Sequence, residues 1–221
     1  MIEVLPRAIF ADRADAGRRL AVALRADPEK ALVLGLARGG VIVAAEVASA
    51  LMTPLDVLVV RKLGAPQSEE LAIGAVTADG GLYLMDELIR WLEIPPAYVK
   101  HEVERQRELA AQREALYRRG RPGPLLAGRH IILVDDGMAT GATMVAAARS
   151  VRQKGAAFVQ IAVPVGAQGS CADLRGEADD VTCLHQPEPF WAVGFFYEDF
   201  SQVEDADVLK ALEEGQATAA S

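Results

Sequence analysis

HIILVDDGMATGATM, residues 130–144, decides how this chain is read. The apolar run 131–134 has the length and branching of a buried strand. It ends on two adjacent carboxylates, Asp135 and Asp136, followed by a loop almost without side chains, 137–143. A helical pattern, ATMVAAARSVRQK, begins there and is closed by Gly155. In an open parallel sheet, ligands sit at the carboxyl ends of strands, where such a loop lies. Amides at a helix start lack intrahelical acceptors and carry partial positive charge, so a phosphate is their natural occupant. Small residues let the backbone approach closely, and Thr140 and Thr143 add hydroxyl donors. The carboxylates would repel a phosphate and need another target: vicinal sugar hydroxyls or a hydrated Mg²⁺. The stretch therefore asks for a phosphate with a diol beside it, as in a ribose phosphate. It is neither a Walker A loop, having no GKS/T, nor GxGxxG. An acid pair at a strand end is common by itself; the whole pattern is specific.

Working outward, the flanks supply a parallel sheet. Asp12 is placed to cap a first helix, with Asp15 in its first turn and Ala16, Leu20 and Leu24 at helical spacing. ALVLGL (31–36) reads as a fully buried strand, 40–52 as a helix opening on a glycine pair, and LDVLVV (55–60) as the next strand. RKLGAPQSEE reads as a polar loop, then LAIGAV and LYLM as a hairpin about TADGG. Residues 97–119 form a highly charged helix with a thin apolar stripe, ended by Gly120 and Pro122. Beyond the opening stretch come a strand at 158–165, a short helix near 170–177, a last core strand at 181–184 and a frayed tail, GQATAAS. The expected fold is α/β: a parallel-sheet core with helices on both faces, a helical and hairpin insertion over 83–122, and a small hood, all in one domain, 1–221.

Composition narrows the function. The chain has 221 residues, 51% of them hydrophobic, and a net charge of −8, which opposes a broad nucleic-acid or membrane-binding face. Cys171 and Cys183 lack CxxC spacing, so neither a disulfide framework nor a structural zinc is expected. His101, His130 and His185 form no ligand-spaced cluster. The N-terminus lacks the basic start and apolar core of a signal peptide, and no run reaches membrane-spanning length. The expected location is the cytoplasm.

VDDGMATGAT resembles the signature with which type I phosphoribosyltransferases bind phosphoribosyl pyrophosphate (PRPP). The resemblance implies that Asp135 and Asp136 hold the ribose hydroxyls and Mg²⁺, directly or through water. It also implies that Gly137, Ala139, Thr140, Gly141, Ala142 and Thr143 cradle the 5′-phosphate. LARGG (36–40) is similar to the family's pyrophosphate loop, which assigns Arg38, Gly39 and Gly40 to PRPP. VVRKLGAP (59–66) ends a strand on two cations, as the family often does, and Arg61 and Lys62 would neutralise the leaving diphosphate. PEPFWAVGFFYEDF (187–200) resembles the tail of purine-type members, making Trp191, then Phe190, the base-stacking candidates and Glu198 an acid near the metal. Members acting on 6-oxopurines carry an acid where this chain has Ala139; adenine-type members tolerate alanine there. The likeness covers roughly residues 30–62 and 130–200 and is strongest at 131–144.

The activity implied is Mg²⁺-dependent transfer of phosphoribosyl from PRPP to a nitrogenous base or amine, purine-like by preference, with release of pyrophosphate. Catalysis would be positional and electrostatic, with no covalent protein nucleophile. Segment 63–74 would close over the site, and Glu69 or Glu70, the latter favoured, would accept a proton. The family's habit implies a homodimer. Two other readings stay open: a PRPP- or nucleotide-sensing module without catalysis, and a phosphatase-like domain using the acid pair as metal ligands.

Overall fold

The computed structural model describes residues 8–219; the opening of the N-terminal segment and the last two residues of the expected tail lie outside that range. In chain order the elements are α1 (Arg13–Ala23), β1 (Ala31–Leu36), α2 (Gly39–Leu51), β2 (Leu55–Leu58), β3 (Val60–Ala65), β4 (Ser68–Thr77) and β5 (Leu82–Leu84). There follow α3 (Asp86–Trp91), α4 (Pro96–Arg118), β6 (His130–Val134), α5 (Ala142–Gln153), β7 (Phe158–Val165), α6 (Gln168–Asp173), β8 (Asp180–His185) and α7 (Asp205–Ala219). Asp12 caps α1 as expected, its carboxylate accepting from the Asp15 amide at 2.7 Å.

Five strands form one sheet in the order β2-β1-β6-β7-β8, and each neighbouring pair is parallel. Their alternating side chains divide between two cores. Val33, Ile132 and Val134 face α1, α2 and α7, packing with Leu20, Val41, Val47, Val208 and Leu212. Leu32, Leu34, Ile131, Leu133 and Ile161 face α5, packing with Met144 and Val151. Burial on both faces explains why β1 and β6 read as continuous apolar runs. β1 and β6 lie side by side, with Leu32 opposite Ile131 and Gly35 opposite Val134, so the turns leaving their carboxyl ends are neighbours.

The stretch read as a polar loop, RKLGAPQSEE, is instead an antiparallel hairpin. β3 and β4 pair from Val60↔Thr77 to Ala65↔Ser68, with register shifts around Gly64, and β5 adds a third strand. A Cβ on Gly64 would meet the Glu69 backbone at 2.8 Å, so glycine is what permits the bulge. Leu63, Ile73 and Val76 pack this sheet against α3 and α4, while Ala75 rests on Ala142 and Ala146 of α5. The segment expected to close as a loop is therefore paired strand, exposed only around its tip, 66–71.

Two further expectations are corrected. Cys171 and Cys183 are bonded to each other: α6 folds back onto β8, which no local spacing announces. The expected frayed tail is helical as far as Ala219, because Val208, Ala211 and Leu212 anchor α7 in the first core. Among the described residues no helix is long and apolar enough to cross a membrane.

Candidate active site

The two carboxylates occupy the space left by two missing side chains. A Cβ on Gly39 would clash with Asp136 Oδ2 and lie 2.9 Å from Arg13 Nε. A Cβ on Gly40 would lie 2.8 Å from both Asp135 Oδ1 and Asp135 Cα. The glycine pair of LARGG thus packs directly on the acid pair of VDDGMATGAT, at the adjoining ends of β1 and β6.

Asp136 is held from several directions. Arg13 Nε donates to Asp136 Oδ2 at 2.8 Å, and the two side chains are only 12% and 16% exposed. The Tyr197 hydroxyl donates to the Asp136 carbonyl at 2.5 Å. Asp135 Oδ1 accepts from the Asp136 amide at 2.9 Å. Burial is the largest cause pushing both carboxyls above the ordinary range. For Asp135, raised well above it, the neighbouring Asp136 charge adds to burial, while Lys62 and Arg13 oppose. For Asp136, also raised, Arg13 is the main opposing group. Burial likewise pushes the Tyr197 hydroxyl up, so it stays a donor.

The loop after the acids is pinned along one side and open at its end. The Met138 amide donates to the Val165 carbonyl, and Ala167 donates back to the Met138 carbonyl, each at 2.9 Å. Ser170 Oγ donates to the Ala139 carbonyl at 2.5 Å. Gly141, at φ 77°, turns the chain into α5 and offers no side-chain cap. The first-turn amides of α5 therefore lack helical acceptors. Ala139 and Thr140 are exposed, Thr143 is partly so, and Gly137 is wedged against Val193 and Val165. Oxyanion chemistry fits this end, and two hard carboxylate donors suit an ion that takes one or two carboxylates plus ligand oxygens, as Mg²⁺ does.

The remaining expected residues divide. Lys62 acts electrostatically on Asp135. Arg61, its neighbour in β3, is turned to α4, where its Nε donates to Gln106 Oε1 at 2.9 Å. Gln106 in turn donates to Glu102, which accepts from Arg105. Burial, then the Arg113 and Arg105 charges, lower the Arg61 pKa. Arg38 pairs with Glu204 at 3.2 Å. Glu69 and Glu70 lie near the exposed hairpin tip, Glu69 4.0 Å from Arg105. Trp191 is 53% exposed, whereas Phe190 stacks on Phe196 at 5.2 Å. Glu198 is exposed, its amide bonded to the Phe10 carbonyl.

Sequence reasoning missed Arg13, Tyr197 and Phe200. A faint signal marks Arg13: a cation in the first turn of a helix opposes the dipole, so it has some other partner.

A sequence model of a family described as "Phosphoribosyl transferase domain" matches residues 77–199. A Mycobacterium tuberculosis (strain H37Rv) protein, provisionally named a phosphoribosyl transferase, is 48% identical over 207 residues. That match takes in 93% of this chain and 46% of the relative, and a protein of the same species' strain CDC 1551 matches equally. The chain thus spans about half the length of the curated relatives it matches. The crystal structure of TT1426 from Thermus thermophilus superposes with a TM-score of 0.77 at 45% identity, covering 94% of this chain and 98% of that one.

Proposed function

Because the chain belongs to the phosphoribosyl transferase domain family, we propose that it transfers phosphoribosyl from PRPP to a nitrogenous acceptor with release of pyrophosphate. One observation carries the reading: Asp135 and Asp136 pack against Gly39 and Gly40 so closely that neither glycine has room for a Cβ, which supports treating the two loops at adjoining strand ends as one site. Asp135 and Asp136 bind the ribose hydroxyls. The amides at the start of α5, with Thr140 and Thr143, hold the 5′-phosphate. The 36–40 turn and Lys62 face the pyrophosphate, and fixed donors there stabilise the negative charge that grows on it as the glycosidic bond breaks.

Mg²⁺, when bound through Asp135 and Asp136 and the ligand's own oxygens, supplies charge neutralisation at the diphosphate. The acceptor is read as a purine-like base, supported by Trp191, whose exposed face is available for stacking. Glu70 stays the candidate for proton acceptance and Glu198 the candidate for a metal contact. Segment 83–122 is read as an insertion in a single domain, the assembly as a homodimer, and the location as cytoplasmic.

The test is pyrophosphate release from PRPP in the presence of Mg²⁺ and a panel of bases and amines, alongside calorimetric titration with PRPP. Release with one acceptor class identifies the substrate. PRPP binding without release for every acceptor establishes a sensor instead, and absence of PRPP binding rejects the reading.

A further inference from the structure

Arg13 has no part in the signature, yet it makes a close ionic contact to it. It lies 123 residues from Asp136 in sequence and opens α1. Its guanidinium is engaged on three sides: Nε donates to Asp136 Oδ2 at 2.8 Å, Nη1 donates to the Ser201 carbonyl at 2.8 Å, and its carbon sits 3.8 Å from the centre of the Phe200 ring. Phe200 stacks on Tyr197 at 5.0 Å, and Tyr197 donates to the Asp136 carbonyl. Arg13 and the segment 197–201 together form a bracket that fixes one carboxylate oxygen and the backbone of the same residue.

A carboxylate held through one oxygen still has the other for a ligand, and an ionised donor makes the holding bond short and directional. The bracket has a steric side as well. Gly39 leaves room for the Asp136 carboxylate and the Arg13 guanidinium together. Resting on the reading of Asp136 as a ribose ligand, we propose that Arg13 is a positioning residue for PRPP: it orients the Asp136 carboxylate toward the ribose hydroxyls without touching the ligand itself. The aromatic segment 187–200, read from the sequence as base-binding, then has a second task, since Tyr197 and Phe200 back the sugar site.

The experiment is a double-mutant cycle read by titration with Mg²⁺ and PRPP, so it needs no knowledge of the acceptor. Arg13→Gln should weaken PRPP binding by about 10–100-fold, the usual cost of removing a residue that orients a ligand-binding group. Asp136→Asn should weaken it at least as much, and the double variant should be no weaker than Asp136→Asn alone. Arg13→Lys should recover part of the loss, because an ammonium reaches Asp136 but does not reproduce the planar stack on Phe200 and the second bond to Ser201. A residue that only supports the fold would give losses that multiply in the double variant. Multiplying losses, or an unchanged affinity in Arg13→Gln, overturn the inference while leaving the ribose assignment standing. An unchanged affinity in Asp136→Asn rejects the ribose assignment and the inference with it. If Arg13→Gln does not fold, the cycle is run with Arg13→Lys under the same criteria, and a lysine variant that binds like the parent overturns the inference.

Discussion

Substituting Gly39 by alanine tests the steric premise on which the site depends. The added methyl would clash with Asp136 Oδ2 and stand 2.8 Å from Asp136 Cγ and 2.9 Å from Arg13 Nε, whereas ordinary carbon contacts begin near 3.4 Å. The obstructing atoms are the ends of two side chains, so the backbone can stay while the carboxylate rotates away. The Arg13–Asp136 bond is then lost, at about 1.5–3 kcal/mol for a charged hydrogen bond. Gly39 lies in the first turn of α2, and replacing glycine by alanine there returns up to about 1 kcal/mol of helix propensity. The net stability cost is therefore about 0.5–3 kcal/mol, or a fall in Tm of roughly 1–12 °C for a chain of this size. PRPP affinity should fall much further, by at least tenfold, because the ribose ligand itself is displaced. Differential scanning calorimetry and PRPP titration of the same preparation separate the two effects. A variant that keeps its PRPP affinity within twofold would refute the argument that glycine stands at position 39 to admit the carboxylate.

Asp135→Asn should abolish PRPP binding yet stabilise the protein at neutral pH. Burial and Asp136 raise the folded-state pKa of Asp135 above its unfolded value. Its contribution is therefore fully present below the ordinary carboxylate range and is lost as pH rises through the folded pKa. The Tm advantage of the variant should accordingly appear between pH 4 and neutrality and grow with pH, and a constant difference across that range would contradict it. Lys62→Ala should weaken binding of pyrophosphate more than that of ribose 5-phosphate, which it reaches only through the Asp135 charge. Arg61→Ala should instead cost about 1–3 kcal/mol by leaving buried Gln106 short of a partner, as read in urea unfolding, with PRPP affinity little changed. Reducing the Cys171–Cys183 bond with a dithiol, or replacing both cysteines by serine, should cost about 3 kcal/mol for a closed loop of this size. It should also weaken PRPP binding, since α6 carries the Ser170 bond to Ala139 in the proposed phosphate loop. An unchanged Tm on reduction, with thiols verified by labelling, would refute this.

What could be read in the sequence follows from where the physics is local. β1 and β6 are buried on both faces, and the loop 137–143 announces itself by its run of small residues. The β3–β4 hairpin could not be read the same way, since its bulge at Leu63 and Gly64 breaks the alternation and its tip is solvated. α7 did leave a trace, Val208, Ala211, Leu212 and Gly215 at helical spacing, with the missing side chain of Gly215 making room for Leu55. The disulfide and the Arg13 bracket left almost none, because each joins residues whose proximity exists only once the sheet has ordered its strands.

The site shows the same division in its chemistry. Read as a string, VDDGMATGAT is self-contained: acids for the sugar, amides for the phosphate. In the fold the acids are a liability as well as the proposed ribose ligands, two adjacent carboxyls whose burial raises both pKa values. The glycine pair at 39–40 supplies the space for them, Lys62 and Arg13 supply opposing charge, and Tyr197 fixes the Asp136 backbone. These supports come from four separate parts of the chain. An account of the motif alone predicts that only substitutions within 135–143 alter PRPP affinity. The packing at the ends of β1 and β6 predicts that Arg13 alters it too, through Asp136 and not through the ligand, and that Gly39 alters it through Asp136 as well as through the 36–40 turn.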